Sequence, residues 1–402
     1  MKKALNKSSL AVAAVLATFI LHPASVCAQG SLMPPGAPGP TMKTLGQVEP
    51  RTPVDATNTP GIFNAQFTIT KSGSYYLTGN ITGVSTNVGI FIETNDVTLD
   101  LNGFEMTGAS SNYGINVSSF GVQNTVIRNG TLRNWGTGVN ASNGFCELEQ
   151  VRVYGCQSGG IQLGDHCTLK NCAASGNGST GITIGNSCAV GDCLVSSNGT
   201  GISGGSDCII SGSQANDNLY DGIILKDNFN ISLSAADGNG VNAGIVGGGA
   251  DGFSLGNNGI VNHCTANANN CFFEYDSGIA VGSGCTVKDS VCNNNLGVGI
   301  YVAGNHCLIT GNTASGNEAS DIYVDGGWNR IDNNTAGDSG ISIVGGWNRI
   351  DNNTAGGITS ALLNVTNSIT RNVSEYYGNT AGNNDYAPIQ TPATATSPWA
   401  NF

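Results

Sequence analysis

The chain has 402 residues and a formal net charge of −12, and only 10% of its residues are charged, against about 25% in ordinary domains. So acidic a chain, poor in Lys and Arg, is excluded as a nucleic-acid binder, because phosphates demand cationic side chains. Glycine, at 59 residues, is roughly twice its usual share, yet Ile, Leu and Val recur regularly along the body, which excludes low-hydrophobicity disorder.

Residues 1–28 read as an export signal. Lys2, Lys3 and Lys7 are the positive segment, Leu10 to Leu21 the apolar one, and Val26-Cys27-Ala28 supplies small residues before a cut at Gln29. Val26 is a poor neighbour for lipidation of Cys27. The apolar stretch is too short to span a bilayer, so the mature chain is expected to be secreted, periplasmic or at the cell surface. Losing three lysines takes its charge to −15. Residues 29–60 form a Pro-rich linker and N-terminal cap, in which Met42, Leu45 and Val48 have the spacing of a short helix.

From residue 61 to 382 a repeat dominates. Gly, or once Asp, followed by Ile or another apolar residue marks twelve rungs, from Gly89-Ile90 through Gly181-Ile182 and Gly222-Ile223 to Asp321-Ile322 and Gly340-Ile341. Most rungs are 19 to 25 residues apart, a solenoid period. Each opens an alternating run such as Ile182-Thr183-Ile184. A second run follows, as in Cys167-Thr168-Leu169, and then a third, as in Cys172-Ala173-Ala174. Three period-two runs per repeat predict three strands per coil, hence an all-β, right-handed parallel β-helix of about 12 coils. All eleven prolines lie outside residues 61–387, which leaves every backbone N–H free to join a ladder. Residues 383–402 form a C-terminal cap or tail, with Tyr386, Ile389, Trp399 and Phe402 as the apolar cover.

Asn stands at one register in seven successive coils, from Asn177 to Asn317, and stacked amides are expected to bond along the axis. Cys146, Cys167, Cys188, Cys208, Cys285 and Cys307 form a second column, interrupted by Phe229 and Gly259; Cys172, Cys193 and Cys264 lie in a third. Buried thiols are favoured over bridges, since ladder neighbours hold Cβ atoms near 4.8 Å, beyond the usual bridge spacing. His166, His263 and His306 each precede a Cys, so alternation turns them outward, and their separation rules out a shared metal.

Val97-Thr98-Leu99-Asp100-Leu101-Asn102-Gly103-Phe104, with Ser72-Gly73-Ser74-Tyr75-Tyr76-Leu77-Thr78 upstream, resembles the opening coil of secreted right-handed β-helix repeat proteins of the pectate-lyase-like superfamily. The resemblance covers about residues 60–380. It implies the fold and a carbohydrate-facing surface, because the superfamily includes pectate lyases, polygalacturonases, alginate epimerases and phage tailspikes. The Asp-Asp, Gly-His-Gly and Arg-x-Lys motifs of polygalacturonases are absent from this chain, as are the Asp-Pro-His motif of alginate epimerases and the Arg-x-Pro-x-x-Arg stretch of pectate lyases. One scaffold carries many activities, so the site is argued separately.

Insertions in a repeat collect on the binding face. The turn after Asn239 takes thirteen steps to Gly252, and the turn after Asn269 takes nine to Gly278. The second holds Glu274 and Tyr275. Beside them Asp221 and Asp251 each precede a rung Gly and are expected one above the other, about 4.8 Å apart. Close carboxylates divide acid and base roles or hold Ca²⁺. Asp221, Asp251 and Lys226 are therefore the candidate catalytic residues. Asp221, Asp251 and Asp276 are the candidate Ca²⁺ ligands, with no cofactor required. Glu274, Tyr275, Tyr301 and Tyr323 are the candidate substrate contacts. The expected role is binding or processing of a polysaccharide or cell-surface glycan on one strand face near coils six to eleven. The alternative is a non-catalytic structural or adhesive surface protein.

Overall fold

The computed structural model describes residues 50–62, 64–84, 87–109, 112–118, 120–240, 250–270, 276–360, 366–379, 385–386 and 397–401. Residues Arg51–Phe402 form one unit. The first strand of each coil pairs in parallel with that of the next through fourteen successive pairings, from Ala65–Ile69 to Val373–Asn379. The result is a right-handed parallel β-helix of about 14 turns, roughly 67 Å long at the spacing of parallel strands. Among the described residues there is no helix. The expected cap helix at Met42, Leu45 and Val48 lies outside them.

The twelve expected coils are thus too few, for a local reason at each end. Phe67 and Tyr377 occupy the rung position without a preceding Gly. Gly357-Ile358 has the Gly, but the third strand of one coil and the first of the next fuse into a single strand, Thr354–Ser360, which erases the expected turn. The ladder also extends past residues 61–382: Thr52–Pro53 pairs with Tyr75 and Tyr76, and Asp385–Tyr386 with Ser368 and Ile369. Pro53 is tolerated because its strand is at an edge.

Alternation decides what the interior holds. Ile182 and Ile184 are buried and Thr183 is not, and rung residues from Ile90 to Ile358 are fully enclosed. Asp100 of the opening motif is buried and accepts from the Asn102 N–H at 2.8 Å, from Asn129 Nδ2 at 3.2 Å, and from Arg51 and Arg128, each at 3.3 Å. That carboxylate ties the first coil to the next and to Arg51.

Three polar columns run through the corners. In the first, each amide Nδ2 donates to the Oδ1 of the Asn one coil on, from Asn177 to Asn317, at 2.9–3.2 Å. The series ends on the carboxylate of Asp321, 2.8 Å from Asn317 Nδ2. In the other two columns the residue type changes along the axis. Cys146 and Cys167 donate their N–H to the sulfur of the next coil, whereas Cys307, Asn329 and Asn348 donate to the next Asn Oδ1. The thiols of Cys188, Cys208 and Cys307 reach a carbonyl one coil back, as the Asn329 and Asn348 amides do. Cys here is a weak substitute for a ladder Asn. All eleven described cysteines are buried, unbridged thiols.

The interruption at Phe229 and Gly259 has a steric cause: a Cβ at Gly259 would overlap the Phe229 ring. The aromatic side chain fills the place of two column residues. Gly259→Ala is therefore expected to cost about 1–3 kcal/mol, the range of an overpacked core. Phe229→Cys, which returns the column to its usual residue, should recover most of that loss in urea denaturation. An Ala variant as stable as the parent would disprove the steric account.

At the C-terminal end Asn401 extends the ladder, accepting from the Asn372 N–H at 2.9 Å and donating to the Ile369 carbonyl at 3.1 Å. Trp399, expected in the apolar cover, is exposed and instead lies under the Arg371 guanidinium, 5.1 Å from its ring centre. The side chains of Tyr386, Ile389 and Phe402 lie outside the described residues.

Candidate functional site

Asp221 and Asp251 stand two residues before Ile223 and Phe253, which pair directly in the ladder, so the expected stacking holds. The residue aligned with them in the next coil is Ser277, two before Ile279, and Asp276 lies one step further back. The carboxylates are linked through the backbone: the Asp251 N–H donates to Asp221 Oδ1 at 2.7 Å, and the Ser277 N–H and hydroxyl donate to Asp251 Oδ1 at 2.6 and 3.0 Å. The same device recurs elsewhere, where Asn257 N–H donates to Asp227 and Asn267 N–H to Asp237. Each carboxylate thus has one oxygen committed to the next coil.

What distinguishes the pair is its surroundings. Both side chains are half-buried. Burial, with the charge of Asp276 adding to it, pushes Asp221 up to about 6 despite the Asp251 N–H bond. Burial and then the charge of Asp221 push Asp251 up to about 7, against the bonds from Ser277. Both carboxyls thus hold their protons to higher pH than an ordinary Asp, Asp251 the more so, which suits general acid–base chemistry.

The remaining candidates spread along the face. Lys226 is exposed and five residues beyond Asp221, about 16 Å along extended strand, so it does not converge on the pair. Tyr301 and Tyr323 pair directly on the outward side of consecutive first strands. Their ring centres are 5.8 Å apart with planes tilted by 49°, and the Tyr301 hydroxyl is 3.5 Å from Asp325 Oδ2. Two coil spacings and three residues separate Tyr301 from Asp251, roughly 14 Å. Glu274 and Tyr275 lie outside the described residues. Among the described residues no three His, Cys, Asp or Glu side chains gather as metal ligands, so Ca²⁺ at Asp221 and Asp251 would need carbonyl or water oxygens.

His166, His263 and His306 are exposed at turn positions of positive φ, as alternation requires. His166 packs on Phe145, ring centres 4.9 Å apart, beside a cleft of about 290 Å³ that Glu147 and Thr168 also line. A polar groove of about 530 Å³ lies between Gly103, Gln150, Arg152 and Asn171. Sequence reasoning passed over these, and also over Trp328 and Trp347. The signal for the Trp pair was on view, since GGWNRIDNNTAG occurs twice, at 326–337 and 345–356.

No known family profile matches the chain, and no curated protein matches it in sequence. Solved structures do. The A-module of the mannuronan C-5 epimerase AlgE4 from Azotobacter vinelandii is 15% identical, with 79% of this chain and 89% of that one covered at a TM-score of 0.45. The tailspike receptor-binding domain of siphovirus 9NA is 9% identical, covering 81% and 74% at 0.47. Pectate lyase Pel9A is 16% identical, covering 81% and 74% at 0.30. At these values the likeness concerns the winding of the chain alone.

Proposed function

We propose that this chain is an exported β-helix that binds polysaccharide along its first-strand face, in the coils from Asp221 to Tyr323, with Asp221 and Asp251 as the acid–base couple of a processing reaction. The observation that carries this reading is the tyrosine pair. Tyr301 and Tyr323 repeat at coil spacing on the outward face, and amphipathic rings arrayed this way suit the faces and hydroxyls of successive sugars. The carboxyl pair with raised proton affinity lies further along the same strand face, where perturbed groups mark candidate chemistry. No described helix is long and apolar enough to cross a membrane, and the N-terminal Lys-rich and apolar segments support export.

A second reading, a non-catalytic surface protein, draws on one observation: each carboxylate already bonds the backbone of the next coil. The two separate in one experiment. The protein is offered a panel of neutral and anionic polysaccharides, with binding and product release followed together. Tyr301→Ala/Tyr323→Ala should weaken binding by about ten-fold or more, the scale of two lost aromatic contacts. Asp251→Asn should abolish products while binding remains. Binding without products in the parent would leave the adhesive role, and no binding to any polysaccharide would sink the proposal.

A further inference from the structure

Trp328 and Trp347 occupy the turn after the first strand in consecutive coils and are 59% and 56% exposed. Their ring centres are 5.4 Å apart and their planes 10° from parallel. Ring contact at about 3.5 Å requires an offset at this separation, and more than half of each residue is left to solvent. Large apolar groups left uncovered in a contiguous step call for a partner.

Both tryptophans sit at positive φ, +60° and +64°, a region bulky residues avoid. At the same turn position other coils carry Asn124, Ser187, Asp207, Asn228 and Asn258, but also Phe145, His166 and His306, so the turn accepts rings as well as small polar residues. The support is rigid. A Cβ at Gly326 or Gly345 would overlap a carbonyl of the preceding coil, and the Asn329 N–H donates to Asn348 Oδ1 at 2.8 Å. The coils therefore stack closely enough to hold the rings in register.

Charge selects the occupant. Arg330 and Arg349, two residues beyond each indole, are already engaged by Asp332 and Asp351 at 2.7 and 2.8 Å. These two cations are thus paired rather than free to draw in an anion, and a net charge of −12 repels polyanions at long range. We propose that Trp328 and Trp347 form a platform for a neutral polysaccharide. Two successive pyranose rings would lay their C–H faces on the two indoles, with the sugar chain running parallel to the solenoid axis. The platform is on the turn rather than the first-strand face, so it goes beyond the function proposed above and stands or falls separately.

Affinity electrophoresis tests it, in gels containing hydroxyethylcellulose, mixed-linkage β-glucan or galactomannan, with alginate as the anionic comparison. The full chain should be retarded by at least one neutral polymer and its tryptophan emission quenched by the same polymer. Trp328→Asn/Trp347→Asn keeps a residue that tolerates the turn, and its melting curve should match the parent's. It should lose retardation, by roughly ten-fold in affinity per ring. Phe120→Ser, at an exposed aromatic outside both candidate surfaces, should keep it. The proposal is overturned if no neutral polymer retards the parent, if the tryptophan double variant is retarded equally, or if alginate alone retards it. It is also overturned if light scattering shows a dimer that the double variant abolishes, which would make a second copy the occupant.

Discussion

Asn239→Leu is expected to lose on the order of 4–8 kcal/mol of stability, a large part of what holds a typical domain folded. Asn239 is fully enclosed. Its Oδ1 accepts from the N–H and the Nδ2 of Asn218 at 3.1 and 3.0 Å. Its own Nδ2 donates to the Ala215 carbonyl at 2.9 Å and to Asn269 Oδ1 at 3.0 Å. Leucine matches the volume but strands two donors and a carbonyl in a dry interior, each at about 1–3 kcal/mol. The amides also point one way. Every amide-to-amide bond in the column runs from Nδ2 to the Oδ1 of the next coil toward the C-terminal end, so each bond polarises the next, and the series ends on the carboxylate oxygen of Asp321. Burial raises the proton affinity of Asp321, and its bonds from Asn317 offset this only in part. Urea denaturation followed by far-ultraviolet circular dichroism measures the loss. A cost under about 1 kcal/mol, no larger than one ordinary hydrogen bond, would refute the cooperative column.

That first column was legible because the same residue type recurs at one register, from Asn177 to Asn317. The other two were only half visible. They begin as cysteines and serines and become Asn at Asn312 and Asn329, and the unity of each column lies in hydrogen-bond geometry rather than residue type. A thiol and an amide play the same part there, and nothing in the letters says so. The turns hid in the same way: positive φ is carried by Asn, Asp and Gly, the expected types, but also by Phe145, Trp328 and Trp347. Rung spacing predicted the stacking of Asp221 on Asp251, because register is a matter of counting. It did not reveal the backbone N–H bonds between them or the burial that raises their proton affinity, which depend on how neighbouring coils close around the pair. Lys226 stands at the far end of the Asp221 strand, where an extended backbone turns five residues into distance.

The pair leads to a test of stability against pH. Both carboxyls have folded-state affinities above the ordinary value of 3.8, near 6 for Asp221 and near 7 for Asp251. The folded chain therefore binds more protons than the unfolded chain between about pH 4 and 7. Their contribution is fully present below the unfolded value and is lost as pH rises through the folded ones. The parent should melt at a higher temperature at pH 5 than at pH 8. Asp351 works the other way: burial raises it, but the Arg371 and Arg349 guanidinium groups outweigh burial and hold it near 2. Its contribution disappears only in acid, outside this window. Asp251→Asn keeps an Oδ1 to accept from Ser277 and removes the charge. It should flatten the profile and raise stability at pH 8 by on the order of 1–3 kcal/mol, while changing little at pH 5. A parent profile flat from pH 5 to 8, or a variant less stable at pH 8, would show that the pair titrates as ordinary turn residues. A variant that gains stability at pH 8 and at the same time loses polysaccharide products would mark a site kept strained for its chemistry. Stability gained with products unchanged would leave the carboxylates as coil linkers and move the search for the reacting groups elsewhere on the face.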